Sequence, residues 1–103
     1  MDQKEFAINI VKSFVADCAK SGLIFERVFL FGSYANGRAH DWSDIDLLLF
    51  SKQFTKDTLR NLKLYSKVNI KFPIIETHAY PTDYLLSGDE FINDVLKDAV
   101  EIN

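Results

Sequence analysis

Apolar positions in this chain recur first with a helical period and then with a strand period, and the changes of period divide it into elements. Phe6, Ile10, Val11, Phe14, Val15 and Cys18 fall on one stripe of a 3.6-residue repeat. Asp2, with Glu5 three positions on, has the form of a capping box, and Ser21-Gly22 supplies a C-terminal stop. The spacing therefore predicts a scaffolding helix over this stretch. Arg27 to Phe31 (RVFLF) is apolar and rich in β-branched and aromatic residues, which suits a strand buried on both faces. Asp44 to Phe50 (DIDLLLF) reads as a second strand, whose alternation sets Asp44 and Asp46 on one face and Ile45, Leu47 and Leu49 on the other. Between the strands, Ser33 to Arg38 has room for a turn or two of helix, and the residues from Gly37 to Ser43, with His40 and Trp42, form a polar loop.

Phe54, Leu59, Leu62 and Tyr65 predict a helix from about Thr55 to Ser66, with Lys56, Arg60, Lys63 and Lys67 recurring on its other face. Ile70 to Ala79 predicts a third strand, which Pro73 makes an edge strand or one that begins late. Its alternation groups Phe72, Ile74, Glu76 and His78, so that Glu76 is a lone carboxylate in an apolar stretch. Pro81-Thr82-Asp83 signals a turn or a one-turn helix. A last helix is expected to open at Ser87 with Glu90 as its capping partner, burying Phe91, Ile92, Val95, Leu96, Ala99 and Val100. The expected fold class is α/β, a small mixed sheet with helices packed mainly on one face and the acids at one edge.

Composition bounds this picture. The 103 residues fit one domain, 1–103, with one core and little room for a separate substrate domain, so a partner or a homodimer would have to help define any acceptor. Apolar residues at 48%, including nine Phe and four Tyr, are enough for a packed interior. A net charge of −3 argues against stable nucleic-acid binding, which relies on clustered cations. The charge is nevertheless uneven: Lys52, Lys56, Arg60, Lys63, Lys67 and Lys71 make the middle basic, while Glu76 to Glu101 is acidic. Cys18, the single cysteine, cannot form an internal disulfide and reads as a small buried hydrophobe. With no leader pattern and no apolar run near the ~20 residues that span a bilayer, the expected setting is cytoplasmic and free of membrane.

Two carboxylates at i and i+2 on one strand, with a third on another, would repel one another if left bare at neutral pH. They make chemical sense around divalent cations, because Mg²⁺ takes hard oxygen ligands and joins protein carboxylates to substrate phosphates. Gly32-Ser33 supplies the complementary half: a glycine lets phosphate approach the backbone, and the amides and the Ser33 hydroxyl can donate to it. Arg38 follows that turn and is suited to pair with phosphate oxygens. Trp42 could stack on a base or cover the sheet edge, and His78 could tune Glu76 or be an ordinary surface histidine.

Gly32-Ser33, ten intervening residues and then Asp44-Ile45-Asp46 resemble the signature of the polymerase-beta-like nucleotidyltransferases. With Ala35, Gly37, Arg38 and Ser43 also in place, the chain is similar to the minimal nucleotidyltransferase (MNT) domains, and the order of elements follows theirs over nearly its whole length. The resemblance implies that Gly32 and Ser33 hold the nucleotide phosphates and that Asp44 and Asp46 bind metal, with two Mg²⁺ ions and ATP as substrate. Glu76 takes the place of the third carboxylate, commonly Asp in relatives, with Asp83 as the fallback. It implies further that AMP passes to a hydroxyl with release of pyrophosphate, and that the chain is an antitoxin adenylylating a tyrosine of a HEPN-type ribonuclease toxin. Two alternatives stay open: a non-catalytic antitoxin that occludes its partner, and a small-molecule nucleotidyltransferase of the aminoglycoside type.

Overall fold

A computed structural model describes residues 2–102. Helix α1 (Gln3–Lys20) starts as its sequence dictates, the Asp2 carboxylate accepting from the Glu5 amide at 2.8 Å. Strand β1 (Arg27–Phe31) runs into the short helix α2 (Ser33–Asn36), and the chain returns as β2 (Ile45–Ser51). Helix α3 (Thr58–Asn69) then carries it across to β3 (Ile75–Pro81). A 3₁₀ helix (Thr82–Leu86), helix α4 (Glu90–Leu96) and a two-residue strand β4 (Val100–Glu101) follow.

The four strands form one mixed sheet in the order β3-β2-β1-β4. Strand β1 is antiparallel to β2 and to β4, whereas β3 lies parallel to β2, an arrangement that requires the helical crossover α3 provides. One sheet face, built from Leu30, Ile45, Leu47 and Leu49, packs on Val11, Phe14 and Cys18 of α1 and on Tyr65 and Val68 of α3. The opposite face carries a smaller cluster in which Phe29, Leu48 and Phe50 are covered by Ile92 of α4. That cover is short, and it leaves one corner of the second face open.

Three expectations are displaced, each for a physical reason. Helix α3 begins at Thr58 rather than Thr55, because the Asp57 side chain caps the Arg60 amide and the Asn61 side chain is tied to both backbone groups of Thr55. The helix therefore buries Asn61, Tyr65 and Val68 and turns Leu59 and Leu62 outward. Strand β3 begins only at Ile75, since residues through Pro73 are spent on ending α3, and it is an edge strand as Pro73 suggested. Helix α4 is capped by Asp89, whose carboxylate accepts from the Ile92 amide at 3.0 Å, and not by Ser87, which closes the 3₁₀ helix. Among its expected apolar residues only Ile92 is fully buried, and Val100 belongs to β4, a strand too short to show alternation.

Candidate active site

The open corner is assembled by strand register. Phe31 at the end of β1 pairs with Asp46 on β2, which in turn pairs with Glu76 on β3. One step along, His78 is the partner of Leu48. Because side chains two apart on a strand share a face, Phe31, Asp46, Glu76 and His78 all project from the sparsely covered side.

Next to this row the chain turns sharply at Gly32, whose φ of 75° and ψ of −154° are open essentially to glycine alone. A Cβ built there would sit 3.2 Å from Asp46 Cγ and closer still to its Oδ2, so the turn and the carboxylate touch only because the side chain is missing. Helix α2 is held from beneath by buried Tyr34 and Ala35 and ends at Gly37, in left-handed conformation. The Arg38 amide donates to Ser33 O at 2.9 Å and to Asn36 Oδ1 at 3.2 Å, which fixes the backbone while the residue itself stays exposed. The far side of the loop is clamped to α1: Gln3 Nε2 donates to Ala39 O at 2.7 Å, and the Ala39 amide donates to Gln3 Oε1 at 2.9 Å. Nothing in the hydrophobic pattern marks Gln3 as this clamp. His40 is used within the loop, its Nδ1 accepting from the Trp42 amide at 3.2 Å. Trp42 is 89% exposed and covers no sheet edge.

The electrostatics concentrate on Asp46. Burial, a hydrogen bond with Glu76 and the nearby charges of Glu76 and Asp44 push its carboxyl up to about 6. Asp46 thus holds its proton into the mildly acidic range in the absence of a cation. Asp44 lies one residue ahead of β2 and is exposed; it acts on Asp46 through charge. Donor atoms of Asp46, Glu76 and His78 lie within 4.8 Å of one another, the group among the described residues with the donor types and spacing for a metal ion. An ion bound at ~2.1 Å spans donors up to ~4.2 Å apart, so small side-chain rotations would close this set. The oxygens and the missing Cβ of Gly32 fit a divalent cation with a phosphate beside it. Arg38 and Ser33 lie on the adjacent turn, whereas Asp83 sits in the 3₁₀ helix beyond the far end of β3.

The mixed four-stranded sheet and its helices form a nucleotidyltransferase-domain fold. The nucleotidyltransferase domain family model matches residues 11–102, and the chain belongs to that family. Two proteins of Methanocaldococcus jannaschii named as candidate protein adenylyltransferases, MJ1305 and MJ0141, are each 36% identical over 73 residues. The matches cover 70% and 66% of this chain, and 49% and 72% of the relatives, so the chain spans about half the length of MJ1305. Among solved structures, a candidate nucleotidyltransferase from Sulfolobus solfataricus superposes with a TM-score of 0.65 at 24% identity, covering 96% of this chain and 81% of that one. A toxin-antitoxin structure with AMP-PNP gives 0.61 at 20% identity, covering 91% and 70%. At these identities the two structures speak for the fold. No helix among the described residues is long and apolar enough to cross a membrane.

Proposed function

We propose that the chain transfers a nucleoside monophosphate, AMP from ATP, to a hydroxyl on a partner protein and releases pyrophosphate. The observation that carries this reading is the contact between the Gly32 turn and the Asp46–Glu76 pair, which sets an anion-accepting backbone against clustered carboxylates. In this scheme Asp44, Asp46 and Glu76 hold the catalytic cations, and Gly32, Ser33 and Arg38 receive the triphosphate. Mg²⁺, when bound, would neutralise phosphate charge and polarise the α-phosphorus toward attack. Displacement requires the acceptor oxygen in line with the departing pyrophosphate oxygen, and the Gly32 turn is assigned to hold the triphosphate for it. The acceptor oxygen forms a bond to the α-phosphorus as the bond from that phosphorus to the bridging oxygen breaks, and the two terminal phosphates leave together. Glu76, exposed on the edge strand, is assigned to take the hydroxyl proton.

The relatives named for protein adenylylation and the toxin-antitoxin neighbour favour a protein acceptor over a small molecule. We assign that acceptor to a tyrosine of a HEPN-type toxin in the cytoplasm, with the exposed cations of α3, Arg60, Lys63 and Lys67, available for docking. The test is to incubate the chain with the product of the adjacent reading frame, Mg²⁺ and ATP labelled at the α-phosphate. Covalent label on the partner, lost with Asp44→Asn, is the expected result. Occlusion without catalysis would instead leave the Asp44→Asn chain fully protective in cells.

A further inference from the structure

His78 is the member of the corner that the carboxylate scheme does not use. It lies on β3 two residues beyond Glu76, and the two side chains share a face of the edge strand. Its ring is held by two aromatic neighbours: Phe31 at 5.5 Å between centroids with a 51° tilt, and Phe91 of α4 at 5.4 Å with a 46° tilt. These two phenyl rings are themselves in edge contact at 6.2 Å. Leu48, its register partner, lies beside it on the neighbouring strand β2. Carbon surfaces therefore wall the ring, while a ring nitrogen lies within 4.8 Å of oxygens from both Asp46 and Glu76. An imidazole pinned by rings of two other elements beside a carboxylate pair is pre-positioned as a ligand.

We propose that His78 is a nitrogen ligand of the cation held by Asp46 and Glu76, and that it biases this position toward first-row transition dications over Mg²⁺. The inference rests on the metal-dependent reading above and deepens it by naming the ion class. Magnesium favours an all-oxygen shell and keeps its waters, whereas manganese, iron, cobalt and zinc accept imidazole readily. Two carboxylates plus one imidazole is a donor set of the second kind. Phe91 and Phe31 would act as positioning residues, fixing the ring plane without touching the ion.

The test uses Mn²⁺ as the probe and reads the ion itself. With the full chain at neutral pH, pulsed electron paramagnetic resonance of bound Mn²⁺ should show coupling to a directly bonded ¹⁴N nucleus. His78→Phe keeps an aromatic ring between Phe31 and Phe91 but has no nitrogen; it should abolish that coupling and weaken Mn²⁺ binding roughly ten-fold or more, with Mg²⁺ affinity, measured by competition, much less affected. Bound Mn²⁺ with oxygen ligands only in the wild type would overturn the proposal, as would an unchanged Mn²⁺-to-Mg²⁺ preference in a folded His78→Phe chain. The wild-type spectrum decides the matter even if the variant does not fold. Oxygen-only coordination with intact nucleotide transfer would sink the His78 assignment alone, whereas nitrogen coupling without transfer would sink the proposed reaction and leave His78 as a ligand.

Discussion

Gly32 and Asp46 are in contact only because residue 32 has no side chain: a Cβ there would collide with the Asp46 carboxylate. The same glycine has a backbone conformation that other residues avoid. Gly32→Ala thus carries both penalties, and we expect a loss of about 3 kcal/mol in urea unfolding, together with loss of nucleotide transfer. Gly37→Ala is the comparison, since a Cβ at Gly37 meets nothing within 4 Å and only its φ of 77° is unfavourable. Its cost should be roughly 1 kcal/mol, and equal losses for the two variants would show that the Gly32–Asp46 contact is immaterial.

Asp46 gives the metal-free protein a distinctive pH dependence. Its carboxyl is raised from 3.8 to about 6 by burial first and then by Glu76 and Asp44. A carboxyl raised on folding binds more protons in the folded chain than in the unfolded chain between those values. Stability from this group is therefore present at low pH and is lost as pH rises through about 6. Asp46→Asn removes the repulsion and should stabilise the metal-free chain at neutral pH by about 1–2 kcal/mol after allowance for solvent screening. Cation affinity should climb as pH rises through about 6, because the ion must displace the Asp46 proton. Thermal melts in chelator across pH 4–8, for wild type and Asp46→Asn, test this directly; parallel curves would refute it.

Asn61 tests the fold apart from the site. Its side chain is buried, donates to Thr55 O at 2.7 Å and accepts from the Thr55 amide at 2.8 Å. Asn61→Ala strands both backbone groups and should cost about 2 kcal/mol, seen as a lower urea midpoint. Mg²⁺ or Mn²⁺ binding at the carboxylates should be unchanged, and a loss of binding in the folded variant would contradict the separation of this cap from the site.

Cys18 should be chemically silent. Burial in the α1 stripe, with a smaller push from Asp17, raises its thiol to about 11, so little thiolate exists at neutral pH. A chromogenic disulfide reagent should fail to react with the native chain and react once per chain in denaturant. Stoichiometric reaction of the native protein would show the stripe to be open.

The strands that bear the site were legible because their signals are strong. RVFLF and IDLLLF are nearly continuous apolar runs, and alternation alone put Asp46 on the opposite side from Ile45 and Leu47. The Gly32 turn was readable because a glycine before a short polar helix has few other uses. Register across strands was not readable, since pairing Asp46 with Glu76 depends on where β3 begins, and the end of α3 postpones that to Ile75. For the same reason nothing along the chain fixes a role for His78, which gains one only where Phe31 and Phe91 approach it from two other elements. The exposed Leu59 shows the opposite failure, an apolar residue matching a helical stripe that Asn61, through its bonds to Thr55, rotates away from the core.

Whether this corner moves a nucleotide decides the proposed function. The most direct measurement incubates the chain and its genomic neighbour with ATP labelled in parallel at the α- and γ-phosphates, in Mg²⁺ and in Mn²⁺, and follows covalent label on protein. Label from the α-phosphate alone, matched by pyrophosphate release and absent with Asp46→Asn, is the predicted result. Protein label from the γ-phosphate, or α-label undiminished in Asp46→Asn, would contradict it.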